Sequence, residues 1–201
     1  MKKILILAIL IPLFGYSQDY STLKINDRLP LIDLELKSVD DMYYSLESLF
    51  EDNGLIVIFT SNTCPFVVMW EDRYKLAEKI AEKNKFGLVY INSNFKKRDG
   101  DDSFIKMQMH YENMNYQYQY LLDFQSKLAN SFGAKTTPHI FMFNEKYQLV
   151  YKGAIDDNYK DITQVKNFYL KDAILEHSQK KKIKNNSTKA VGCSIKRYKS
   201  E

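Results

Sequence analysis

Two continuous apolar runs, Leu55-Ile56-Val57-Ile58-Phe59 and Phe86-Gly87-Leu88-Val89-Tyr90-Ile91, predict central strands covered on both faces. Between them Phe66, Trp70, Tyr74, Ala77 and Ala81 recur at helical spacing, with Glu71, Lys75, Glu78 and Lys79 largely off that stripe. The pattern predicts a long amphipathic helix opening at Cys64-Pro65. Residues 31–36 alternate as a half-buried strand, with Met42-Tyr43-Tyr44 as a short partner and a helical turn at 46–50. A polar loop over 92–100 leads into a helix over 102–113, capped by Asp101 or Asp102. Tyr120-Leu121-Leu122 reads as a short strand, and 126–132 as a helix ended by Gly133. Strands at 140–143 and 149–151 flank a turn at 144–146, and 163–176 is the final helix. Strands alternating with helices and closing in an antiparallel hairpin plus helix predict an α/β chain with a mixed central sheet flanked by helices.

The two ends carry different signals. Lys2-Lys3, an apolar stretch from Ile4 to Phe14 and then Gly15-Tyr16-Ser17 have the form of a secretory signal over 1–17, cleaved after Ser17 or Gln18. Eleven residues are too few to span a bilayer as a helix, and no cysteine follows to accept a lipid. The mature protein is therefore expected to be exported, periplasmic or secreted, and free of stable membrane insertion. Residues 18–176 make one domain with a core large enough to fold without disulfide staples. The net charge of +4 is uneven: 19 Lys/Arg face 24 Asp/Glu over 18–176, whereas 177–201 holds 8 against 1. The chain is thus a mildly acidic body with a basic, flexible tail carrying Cys193, its Lys-, Asn- and Ser-rich part at 178–189 reading as disordered linker. No nucleic-acid-binding module is recognisable.

The chemistry concentrates at Cys64. A buried strand that delivers a cysteine to a helix N-terminus exposes it to unpaired N–H groups and the positive end of the helix dipole, which favour the reactive thiolate. Pro65 suits the first helical turn. Val67 stands where a four-residue redox disulfide would place its second cysteine, so the only available partner is Cys193. The 17 residues from His177 to Cys193 can extend about 55 Å, so the tail can reach Cys64. Reach leaves three roles open for Cys193: resolving partner, structural bridge or unpaired thiol.

Several separated segments carry a resemblance: Asn62-Thr63-Cys64-Pro65-Phe66-Val67 with Glu71-Asp72-Arg73, Ile91-Asn92-Ser93-Asn94, Asp102-Ser103-Phe104, Tyr120-Leu121-Leu122-Asp123, Thr137-Pro138, Ile155-Asp156-Asp157-Asn158 and Gly192-Cys193-Ser194-Ile195-Lys196. Over residues 29–196 the chain resembles the single-cysteine thioredoxin-like redoxins of the alkyl hydroperoxide reductase and thiol-specific antioxidant class. The resemblance implies a thioredoxin-like fold and a cis peptide before Pro138 whose loop lies against Cys64. Backbone exposed beside such a loop can pair with an extended substrate next to the sulfur. The family usually has His at the position of Thr63 and Trp at that of Arg197. In the peroxiredoxin pattern Pro-x-x-x-Thr-x-x-Cys, Val57 replaces the Pro and Ser61 the Thr, and Arg73 or Arg98 is the candidate to serve the thiolate.

The expected function is thiol–disulfide exchange or peroxide reduction. Cys64 is the nucleophile, Cys193 a possible resolving cysteine, Thr137, Pro138 and Pro65 line the substrate, and Asn62, Ser61 and Arg73 support. No cofactor or metal is called for; the partners are protein thiols or disulfides or a peroxide, together with an electron donor. Two alternatives stand beside this reading. One is a redox-inactive thioredoxin-fold binding module with a structural Cys64–Cys193 bridge. The other is copper binding through Met107, Met109, His110 and Met114. His139 and His177 are expected to be structural or solvated, and Tyr111, Tyr116, Tyr118 and Tyr120 to pack a loop or offer a peptide-contacting surface.

Overall fold

A computed structural model describes residues 20–198; the predicted signal at 1–17 lies outside the described residues. In chain order the elements are β1 (Leu36–Ser38), β2 (Tyr43–Tyr44), β3 (Gly54–Thr60), α1 (Pro65–Lys83), β4 (Phe86–Asn92), α2 (Phe104–Met114), β5 (Tyr120–Leu122), α3 (Lys127–Phe132), β6 (Thr136–Thr137), β7 (His139–Phe143), β8 (Leu149–Gly153), α4 (Tyr169–Ser178) and β9 (Cys193–Ser194). Seven strands form one sheet in the order β2-β1-β5-β4-β3-β7-β8, and β6 pairs with β9 apart from it. β3, β4 and β5 are parallel, while β7, β8, β1 and β2 run antiparallel to their neighbours.

The apolar runs sit at the centre because both faces are covered. Successive residues of a strand point to opposite faces. Ile56 and Ile58 accordingly join Trp70, Tyr74 and Ala77 of α1 and Leu170 and Ile174 of α4 in one core. Leu55, Val57 and Phe59 join Leu128 and Phe132 of α3, with Leu29 and Leu46, in the other. Among the described residues no helix is long and apolar enough to cross a membrane.

Four local expectations are revised. The strand expected over 31–36 begins only at Leu36, because Leu31 turns to φ +50° and Leu34 N–H closes onto its carbonyl at 3.1 Å. α2 is capped by Ser103, whose Oγ accepts from Lys106 N–H at 3.4 Å; the side chain of Asp102 is engaged elsewhere. The last helix starts at Tyr169, since the Asp157 carboxylate takes the N–H groups of Lys166 (3.0 Å) and Asn167 (3.1 Å) and holds that stretch in a loop. The tail expected to be flexible is docked. Ile183 is buried, Lys152 N–H of β8 donates to Asn186 O at 3.0 Å, and Thr188 N–H returns to Lys152 O at 3.0 Å. Composition registers the polarity of 178–189 but not an edge strand waiting to pair with it.

Candidate redox site

Cys64 ends the loop that leaves β3 and is the N-cap of α1. Its backbone is extended (φ −68°, ψ 121°), and its carbonyl accepts the first intrahelical bond from Val68 N–H at 3.0 Å. Pro65 follows at the start of the helix, where the absent N–H is harmless. Rather than capping its own helix, the thiol donates to the Thr137 carbonyl at 3.1 Å. That carbonyl belongs to a cis Thr137-Pro138 peptide, so the loop expected against Cys64 is there.

Cys193 arrives at the same place from the far end of the chain. β9 pairs antiparallel with β6, setting Cys193 opposite Thr137 and Ser194 opposite Thr136. The Cys193 thiol lies beside Cys64 and packs against the core cluster that contains it. Burial, then the hydrogen bond to Cys64 and its charge, push the Cys193 thiol up, against the opposing pull of the Phe66 N–H in the first turn of α1 and of Lys196. Cys64 is only 6% exposed, although its neighbours Thr63 and Pro65 both face solvent.

A buried carboxylate organises both cysteine segments. Asp102 Oδ1 accepts from Asn62 N–H at 2.9 Å and Asn92 Nδ2 at 2.8 Å, and Oδ2 accepts from Asn94 Nδ2 at 3.0 Å. The other end of the Asn94 amide accepts from Lys196 N–H at 2.8 Å. Asn62 itself donates to Asp101 O at 2.9 Å and accepts from Tyr120 OH at 2.8 Å. One side chain thereby ties the residue two before Cys64 directly, and the residue three after Cys193 through Asn94. Asn62, expected as a supporting residue, is thus bound to Asp102, and Asp102 and Asn94 are links between the cysteine segments that reading the chain locally misses, Asp102 because it resembles a helix cap. Ser61 and Thr137 are buried, and their hydroxyls have no hydrogen-bond partner among the described residues.

Other candidates are engaged by groups other than the sulfur. Arg73 makes no hydrogen bond or ion pair with Cys64. Its Nε faces Asp156 Oδ2 at 3.1 Å, bent outside hydrogen-bond geometry, while its other nitrogens hold Met69 O, Asp72 and Asn158 O. With the Trp70 Nε1–Asp156 Oδ1 bond of 2.8 Å, it pins the 156–158 loop. Arg98 is likewise committed, to Asp102 O (2.8 Å), Asn92 O (2.9 Å) and Met107 Sδ (3.0 Å). Copper ligation does not fit: Met107 is buried with its sulfur taken by Arg98, His110 Nε2 sits 2.5 Å from the buried Glu71, and Met109 is 55% exposed. Tyr116 and Tyr120 are core residues rather than a peptide-contacting surface; Tyr116 stacks on Tyr90 at 4.3 Å and donates to Glu71 at 2.9 Å. His139 is buried, with Nδ1 accepting from Lys135 N–H at 3.1 Å, and His177 packs edge-on against Phe86.

No family model matches the sequence, and no curated protein matches it. Solved structures do. A hypothetical protein of Sinorhizobium meliloti matches with a TM-score of 0.80 at 24% identity, over 90% of this chain and 98% of the other. An uncharacterised conserved protein of Geobacillus kaustophilus matches with a TM-score of 0.81 at 25% identity, over 89% and 94%. Peroxidoxin BcpB of Mycobacterium tuberculosis matches with a TM-score of 0.60 at 16% identity, over 79% and 97%. The protein has a thioredoxin-like fold, a mixed sheet flanked by helices that it shares with redoxins.

Proposed function

We propose that the protein is an exported thiol oxidoreductase in which Cys64 is the nucleophile and Cys193 the resolving cysteine. The observation that carries this reading is the meeting of the two cysteines at the N-terminus of α1, Cys64 donating to the Thr137 carbonyl and Cys193 paired opposite Thr137. Thiol–disulfide exchange is favoured over peroxide reduction, since both candidate arginines are bound to other partners.

In the first step the Cys64 thiolate attacks one sulfur of a disulfide RS–SR. An S–S bond forms, the old one breaks, and RS⁻ leaves to take a proton from water. The mixed disulfide then carries no charge at Cys64, which removes two of the influences that hold the Cys193 proton in place. Cys193 thiolate attacks Cys64 Sγ, the second RS⁻ departs, and the chain is left with a Cys64–Cys193 bridge. One disulfide has become two thiols, and two protein thiols have become one disulfide. An external dithiol resets the pair.

The test is to oxidise the reduced protein with a small disulfide and map the product by mass. A Cys64–Cys193 bridge is expected in the parent, and a stable mixed disulfide at Cys64 in Cys193→Ser. Turnover with a dithiol reductant should vanish in Cys64→Ser; activity surviving that change would move the chemistry elsewhere, and a bridge that forms without any turnover would make it structural. Export is tested by sequencing the mature N-terminus, expected near Gln18; an intact Met1 would refute it.

A further inference from the structure

The edge that an extended polypeptide would pair with is already filled. Beside Cys64, the β6 backbone is the place where an incoming strand could lay its main chain next to the sulfur. Here β9 lies on it, Thr137 opposite Cys193 and Thr136 opposite Ser194. The fit is close: a Cβ at Gly192 would stand 2.2 Å from Thr137 O, the carbonyl that also accepts from Cys64. Only glycine lets the chain cross at that distance.

The strand is held on both sides of the crossing. Downstream, Ile195 is buried and its N–H donates to Lys135 O at 3.1 Å; Lys196 N–H reaches Asn94 Oδ1 at 2.8 Å, and Lys196 O accepts from Lys96 N–H at 2.9 Å. Arg197 Nε donates to Asn130 Oδ1 at 2.9 Å. Upstream, Thr188 Oγ1 accepts from Ala154 N–H at 3.0 Å while its backbone pairs with Lys152. Residues 188–197 thus form a strap across the site. Beneath it Cys64 is almost covered, while Thr63 and Pro65 on either side of it in the chain face solvent.

We propose that this strap is the specificity determinant of the site: by occupying the polypeptide-pairing edge from within the chain, it restricts Cys64 to low-molecular-weight disulfides and excludes extended protein ones. The proposal rests on Cys64 being the nucleophile. Cys193 is then the one strand-borne sulfur that Cys64 meets, presented by the chain itself, and a small disulfide approaching from the solvent-facing side of Thr63 and Pro65 leaves β9 in place during the first exchange.

The experiment uses full-length protein carrying Cys193→Ser, so that Cys64 is the only thiol. Two probes share one leaving group: the thionitrobenzoate mixed disulfide of glutathione, and the same disulfide on a single cysteine within a longer unstructured peptide. The peptide probe is expected to react much more slowly than the glutathione probe. Gly192→Ala, whose methyl group must lift the strand off Thr137, and Ile195→Ser, which removes the buried anchor, should each raise the peptide-to-glutathione rate ratio about tenfold, as expected when an edge able to form backbone hydrogen bonds is released. A ratio unchanged in both variants, or near one in the parent, would overturn the proposal while leaving Cys64 as nucleophile. No reaction of Cys64 with either probe would overturn the reading of Cys64 and the proposal with it.

Discussion

Replacing His139 with Asn should remove a specific part of the acid sensitivity of folding. His139 opens β7 directly after the Thr137-Pro138 loop, and its Nδ1 accepts from Lys135 N–H, a bond that an imidazolium cannot accept. Burial, with Lys152, Lys135 and Arg197 nearby, pushes its pKa from 6.5 down to about 3. The unfolded chain takes up this proton below about pH 6.5 while the folded one refuses it until about pH 3, so stability is lost as pH falls through that window. Integrating the difference gives a loss of about 2 kcal/mol between about pH 7.5 and pH 5 from this one residue. Asn places an acceptor where Nδ1 stands and does not titrate. Urea unfolding of parent and His139→Asn at the two pH values isolates the effect, because carboxylate contributions cancel in the difference. The parent should lose about 2 kcal/mol more than the variant. Equal losses would mean that His139 accepts a proton in the folded state, and the assignment of Nδ1 as an obligatory acceptor would be wrong.

Arg73→Ala should destabilise the protein by about 3–5 kcal/mol in thermal or urea unfolding, since it strands the buried Asp156 carboxylate. If Arg73 serves the loop rather than the thiol, the alkylation rate of Cys64 in the folded variant should change less than about twofold; a large fall would return Arg73 to the nucleophile. Asp102→Asn sets an NH₂ against donors from Asn62, Asn92 or Asn94 and should cost about 1–3 kcal/mol. It should also slow formation of the Cys64–Cys193 bridge more than the first alkylation of Cys64, and equal slowing would reduce Asp102 to a purely structural residue.

What the sequence reveals depends on the range of the interaction. β3, β4 and α1 are legible because burial on two faces and on one stripe writes itself into consecutive residues, and Cys64 is legible because a strand end and a Pro-initiated helix are adjacent in the chain. The strand expected over 31–36 fails for the complementary reason: its alternation is real, but the turn closed by Leu34 N–H onto Leu31 O takes the backbone first. Arg73 and Asp102 look alike at this level, the one a charged residue within α1 and the other a charged residue just before α2. Their partners, Asp156 for the one and Asn62 and Asn94 for the other, come from elsewhere in the fold and leave no periodic trace. The tail is the extreme case. Its composition is that of a linker, and its order comes from hydrogen bonds to β8, Lys135, Lys96 and Asn94 that no local pattern encodes.

On the proposed function, the same network explains how two cysteines separated by most of the domain would act together. A free tail of this length would reach Cys64 only as one conformation among many, with the loop-closure entropy charged against each encounter. Docking removes that cost before reaction. Asp102 fixes Asn62 on one side and, through Asn94, Lys196 on the other, so the approach of Cys193 to Cys64 is set by one buried carboxylate and two amides rather than by diffusion of the tail. Resolution then needs only a local movement of β9 over the Thr137 carbonyl, because the anchors at Ile195 and Thr188 lie outside the reacting residues. The strand that occupies the edge of β6 is also the one that brings the second thiol to Cys64, so the proposed selectivity and the proposed resolution would share a single structural cause.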